Sequence, residues 1–562
     1  MTLVRRLACL VCLAAVSTVT AQVPPVAKPL AKEPAADGTM PFTKLAPSKV
    51  IPNLCVVTYR ISTRAPECQA HFDQGLGYFY SYVWMEAARS FETATHKDPE
   101  CAMAWWGLSR ALEHWGRGKA NDALQKAHAL RDQASHREQQ LILARMQEKG
   151  LVPGVGDSEA RKRAAIQTID NLLALYDDDE EAWYFRARLA GGAGLFGGQV
   201  GAVPFYKALL RVNPLHPGAN HELVHFYENI HRPALGWPYA EKYIESSPGI
   251  PHPFHMQAHL ATRIGRWDKT SDRSARAIEL EKAYHRDLNV KPRDDHQYAH
   301  HLEILLLSLI HDGRFREARA IKSEAQSHGI QHWLPWFRLH LAERDWDEAL
   351  KVVEHFRKGN RRNERDKTTA SYLAALLYLK QGNVARAAAE VEVLRQAYHD
   401  RKSDRQLEYR LWETQGLLLC QTDAAEPGLK LLAKAAERSK DDFGHHAWGN
   451  GAYFMEAWGT AALQAERMDI AEEALLEALA HDPGSVRAAL GLQILCERLG
   501  RTDEAGRYAA LARRCWRHAE VMCFDAELTA LRCVERTTET QRAQRKGTPS
   551  GTSDPTVKGT NQ

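Results

Sequence analysis

Residues 71–99 read His71-Phe72-Asp73-Gln74-Gly75-Leu76-Gly77-Tyr78-Phe79-Tyr80-Ser81-Tyr82-Val83-Trp84-Met85-Glu86-Ala87-Ala88-Arg89-Ser90-Phe91-Glu92-Thr93-Ala94-Thr95-His96-Lys97-Asp98-Pro99. Small residues stand at Gly75, Ala87 and Ala94, bulky ones at Tyr78 and Phe91, and a proline at Pro99. Small residues let two helices approach closely, the larger ones fill the gap, and the proline closes the second helix. The stretch therefore predicts an antiparallel helix pair that buries its faces only against neighbouring pairs.

The pattern recurs. Gly459, Ala471, Leu475, Ala478 and Pro483 repeat it, Ala505 and Ala512 continue it, and Pro214 and Pro248 end successive units 34 residues apart. This order and period resemble the tetratricopeptide repeat, over Gln69 to about Arg517. Further helix pairs are expected around 183–210, 298–325, 333–357, 371–397 and 411–439, with a glycine-rich interruption at Gly191–Gly201. Strand-like alternation is confined to Cys55–Ile61. The expected fold is an all-α solenoid, a superhelix of antiparallel helix pairs, over residues 51–534.

The flanks read differently. Arg5-Arg6 before an apolar run from Leu7 to Val16, with Val19-Thr20-Ala21 as a cleavage point, predicts a signal peptide over 1–21 and hence an exported chain, periplasmic or extracellular. Residues 22–50, rich in Pro, Ala and Lys, predict an extended linker, and 535–562 a disordered tail. No later stretch is apolar enough to span a membrane in the mature chain. In an oxidising compartment Cys55 and Cys68, or some of Cys496, Cys515, Cys523 and Cys533, could pair. No Cys-x-x-Cys-His for haem attachment is present.

Composition narrows the function classes. With 562 residues, 44% hydrophobic, 14 Trp and 18 Tyr, the chain can bury a core. A net charge of +4 without a Lys/Arg stripe argues against nucleic acid as a partner. No phosphate-binding glycine loop or nucleophile elbow occurs. The acidic run Asp177–Glu181 suits a helix N-terminus.

The chemistry-bearing stretch is 221–259, which holds His221, His225, Glu228, His231, His252, His255 and His259. Histidines at i, i+4 share a helix face, and this spacing occurs twice. Pro214 and Pro248 phase the next units to begin at Pro217 and Pro251. In repeats of this type the second, fifth, ninth and twelfth places of the first helix face the concave groove. Those places are Gly218, His221, His225 and Glu228, then His252, His255, His259 and Thr262. The following helix adds His300 and Glu303, with His296 and His301 nearby. Helices about 8–10 Å apart let such side chains reach one ion at about 2.0–2.1 Å. A four-His site, or three His with Glu228, is therefore expected, and imidazole ligation suits Zn, Cu, Ni or Fe. Glu228 or Glu303 could instead orient a ring N–H. With 26 His in the chain, chance clustering is the competing reading.

Two other readings stand beside it. His221-Glu222-x-x-His225 is a zinc-peptidase motif in which Glu222 would activate water, with His231 at the third-ligand place; the glycine such enzymes need three residues after the second His is Glu228 here. Alternatively the groove is metal-free and takes a protein or peptide, with Trp106, Arg110, Glu113 and His114 as groove contacts. More narrowly, His71–Leu76, Cys101–Gly107, His221–Glu228 and His252–His259 resemble large exported repeat proteins of environmental, planctomycete-like bacteria. In that group Gly and Pro commonly stand where this chain has Pro251 and Gln257. The resemblance implies a fold and a histidine pattern, and no reaction.

Overall fold

The computed structural model describes residues 38–532 apart from 155, 192–199, 360–363, 423 and 443–448. The expected signal peptide, most of the linker, the tail from 535 and most of the Gly191–Gly201 interruption lie outside the described residues. Helices follow one another in antiparallel pairs, from Pro66–Tyr80 with Trp84–Lys97 to Val486–Arg498 with Thr502–Cys515. No strand occurs among the described residues, and 55–61 is extended without a ladder. The pairs read from sequence are found, for example His296–His311 with Phe315–Ser327 and Glu364–Lys380 with Val384–Asp400.

The packing rule is visible atom by atom. A Cβ at Gly75 would lie 2.7 Å from the Phe91 ring, and one at Gly107 would lie 2.6 Å from it. Phe91 is thus wedged between the first helices of two successive units. Leu475 repeats the arrangement near the other end, 2.6 Å from a Cβ at Gly459 and 2.9 Å from one at Gly491. Both wedges are fully buried, so each joins intra-unit and inter-unit packing in one side chain.

Units far apart in sequence also touch. Trp267 Nε1 donates to the Asp482 carboxylate at 3.0 Å, and Trp516 Nε1 donates to the His311 carbonyl at 2.7 Å. At the other end, Tyr243 donates to Ser81 Oγ at 2.8 Å and Tyr284 to Glu86 at 2.9 Å. The 80–86 segment is therefore tied to helices of later units.

Residues 38–50 differ from a solvated linker. Phe42 and Thr43 N–H donate to the Glu92 carboxylate at 2.6 and 2.7 Å, Ser48 N–H donates to Thr93, and Met40 is buried. Further along, Val56 N–H donates to Ser246 O at 2.8 Å and Gly249 N–H to Leu54 O at 3.1 Å. Buried side-chain acceptors satisfy a backbone that has no secondary structure of its own. The cysteines also depart from expectation. Cys55 Sγ lies 3.3 Å from Ser247 Oγ, Cys68 lies beside Cys101 rather than Cys55, and no disulfide joins the described cysteines, while Cys533 lies outside the described residues.

Candidate metal centre

Three helices carry the histidines: Pro217–Asn229, Pro251–Arg263 and His296–His311. Pro217 and Pro251 occupy the first helical turn, as the repeat phase predicts, where a missing N–H costs nothing. His216 caps the first helix by accepting from Ala219 N–H at 3.1 Å.

Phase alone brings the rings together. Ligand atoms of His221, His225 and His252 all lie within 4.8 Å of one another, as do those of His252, His255 and His301, and of His255, His259 and His300. Three His triads thus run side by side, sharing His252 and His255. His300 is half-buried and the others are buried. The expected histidines therefore lie in neighbouring triads in a closed interior, while Glu228 is in none of them.

The protonation pattern follows from the neighbours. His221 Nδ1 lies 2.6 Å from the Tyr80 carbonyl, which can only accept, so Nδ1 carries the proton and Nε2 the lone pair. His259 Nδ1 lies 3.1 Å from Glu228 Oε1, which fixes the same tautomer. Each Nε2 so presented meets a second one: His221 and His252 at 3.0 Å, His259 and His255 at 2.9 Å. His252 Nδ1, His255 Nδ1 and His301 Nε2 are buried without a hydrogen-bond partner. Buried polar atoms left in this state are costly.

Burial is the main cause that drives His221, His252 and His255 well below the usual imidazole value, with neighbouring histidines adding to it. His301 is pushed down to about 4 by burial. Burial lowers His259 less, because Glu228 opposes it. These rings are neutral at neutral pH, the form that ligates metal. Burial pushes Glu228 up, yet His259 and Arg263, whose Nε is 3.4 Å away, outweigh it and hold the carboxylate below its ordinary range.

Glu228 is therefore one step behind the rings. It belongs to no triad and orients His259, the outer role that carboxylates take in carboxylate–histidine–metal arrangements. Glu281 stands in contact with His301, Nδ1 to Oε1 at 2.8 Å, without hydrogen-bond alignment. The sequence reading set His301 beside the site and missed Glu281 and Tyr82. Tyr82 has φ 59°, an unusual backbone for a tyrosine. Its ring lies 4.4 Å from that of His221 and stacks at 12° on that of His225. The positive φ is not legible in a residue type that rarely adopts it.

The peptidase arrangement is not formed. His231 lies exposed in the turn two residues past its helix, and the third ring beside His221 and His225 is His252. Glu222 Oε1 accepts from Tyr82 and Tyr184 hydroxyls at 2.9 and 3.3 Å. The four expected partner-groove residues are largely absorbed by the fold. Trp106 is fully buried, and Arg110 is sandwiched between Phe79 and Trp106 while paired to Glu181 at 2.7 Å. His114 stacks on Trp84 at 4.5 Å. Glu113 is exposed and bound by Arg145 and Lys149.

Comparison with known proteins bears on the fold. The tetratricopeptide-repeat family profile matches residues 72–135, 334–401 and 456–520. Similar solved structures include yeast Tom70, at 14% identity and TM-score 0.31 over 86% of this chain and 99% of that one. Another is the human IFIT1 dimer with m7Gppp-AAAA, at 14% identity and TM-score 0.28 over 80% and 90%. No curated protein matches the sequence. The chain carries tetratricopeptide repeats and is an all-α, tetratricopeptide-type solenoid. No helix among the described residues is long and apolar enough to cross a membrane.

Proposed function

We propose that this protein is an exported repeat scaffold that holds a transition metal in an imidazole cage built from three consecutive units. Repeats of this type suggest a protein-binding scaffold, to which the histidine cage adds a metal. One observation carries the reading. His221 and His259 each have one ring nitrogen engaged by a protein acceptor, and each aims the other at a second imidazole nitrogen 2.9–3.0 Å away. A metal-ligating histidine typically shows this division of labour.

The donor set fits the group. The triad ligands are all imidazoles, with no thiolate among them, which suits Zn, Cu, Ni or Fe. Export rests on the sequence features of residues 1–21. The decisive experiment is elemental analysis of tag-free protein lacking residues 1–21. Stoichiometric transition metal is expected, and it should fall in the His225→Ala/His259→Ala variant. Equal metal content in both proteins would sink the proposal.

A further inference from the structure

Resting on that reading, we infer that the histidine array is a two-ion centre, with one ion in the triad His221/His225/His252 and a second in the triad His255/His259/His300. These outer triads share no residue, whereas the middle triad takes His252 from one and His255 from the other. A neutral imidazole has a single lone pair, so a ring that ligates an outer ion through Nε2 is protonated on Nδ1 and lost to the middle. The array can therefore hold two outer ions or one middle ion.

Ring orientation decides between these arrangements. The Nε2 atom of His252 faces His221 at 3.0 Å, and that of His255 faces His259 at 2.9 Å. Two nitrogens at about 2.0–2.1 Å from one ion are about 3.3–3.4 Å apart at the tetrahedral angle, so the facing nitrogens of both outer triads need open by only about 0.3–0.5 Å to ligate. Each also contains one ring whose other nitrogen is held, by the Tyr80 carbonyl in one case and Glu228 in the other. His252 and His255 spend their facing Nε2 atoms on the outer rings, and their own centroids are 5.5 Å apart, although His255 also lies 4.1 Å from His301 by ring centroids.

Two ions a few ångströms apart repel, and the repulsion scales with the product of their charges. The donors are all imidazoles, which bring no negative charge to offset it. Singly charged copper(I) reduces the product fourfold relative to two dications, and copper suits imidazole ligation. It is therefore the ion we assign to the pair, and the probe to use.

The test is an anaerobic titration of the mature chain with copper(I) against a competing chelator, with elemental analysis after gel filtration. Two coppers per chain are expected for the native sequence. One is expected for His225→Ala and one for His300→Ala; His301→Ala should retain two. If an alanine variant fails to fold by circular dichroism, asparagine at that position replaces it. One copper per chain in the native protein, lost on His301→Ala, would overturn the two-ion assignment while leaving a metal centre. No transition metal from any source would overturn the metal reading itself.

Discussion

Glu228 Oε1 receives the Nδ1 proton of His259 at 3.1 Å and is braced from the other side by Arg263 at 3.4 Å. A carboxylate in this position raises the basicity of the ring and fixes its orientation. Glu228→Gln keeps the shape and removes the charge. Metal affinity should drop by about 10–100-fold without change in the number of ions per chain, as read by chelator competition.

The wedges at Phe91 and Leu475 predict that the smallest change on the facing helix is felt. Gly459→Ala puts a methyl 2.6 Å from Leu475 and should cost about 1–3 kcal/mol. Leu475→Ala should cost about 2–5 kcal/mol by leaving a cavity. Urea denaturation of both variants checks the pair, and a neutral Gly459→Ala would refute the wedge.

Arg110 and Glu181 are a buried pair at 2.7 Å. Removing one partner strands the other charge, so Arg110→Ala should lower stability by about 3–5 kcal/mol. A thermal melt reads this directly. Full stability combined with loss of a bound partner would return Arg110 to the groove role expected from sequence.

His216 is fully buried and held down to about 3 by that burial. Its folded value lies below the unfolded value of about 6.5, so the unfolded chain takes a proton that the folded chain refuses. The stability this ring contributes is complete above about pH 6.5 and shrinks as pH falls toward 3. His216→Asn keeps a helix-capping side chain that does not titrate. Relative to that variant, the native protein should lose about 2 kcal/mol between pH 6.5 and 4.5. Urea melts at these two pH values measure the difference, and a constant gap would contradict it.

The repeat phase, read from Pro214 and Pro248, located both helix starts and turned His221, His225, His252, His255 and His259 to a common surface. A periodic pattern states which face a residue occupies. It does not state how tightly successive pairs wind. That is why Arg110 looked available to a partner: its counter-charge Glu181 arrives from 71 residues away. It is also why the Tyr80 carbonyl was missed, since it reaches His221 across 141 residues. Residues 38–50 have no periodicity to read, because they are held by their own backbone N–H groups donating to the side chains of Glu92 and Thr93.

The bonds from Trp267 to Asp482 and from His311 to Trp516 span more than two hundred residues. An open solenoid behaves like a spring, with each turn answering only to the next; this one is stitched across its turns. As the chain is synthesised, the histidine helices are all out once residue 311 has emerged, yet the His311 carbonyl waits for Trp516. At about 5–20 residues per second, that delay is roughly 10–40 s, during which the histidine helices exist while their far clasp is still undone.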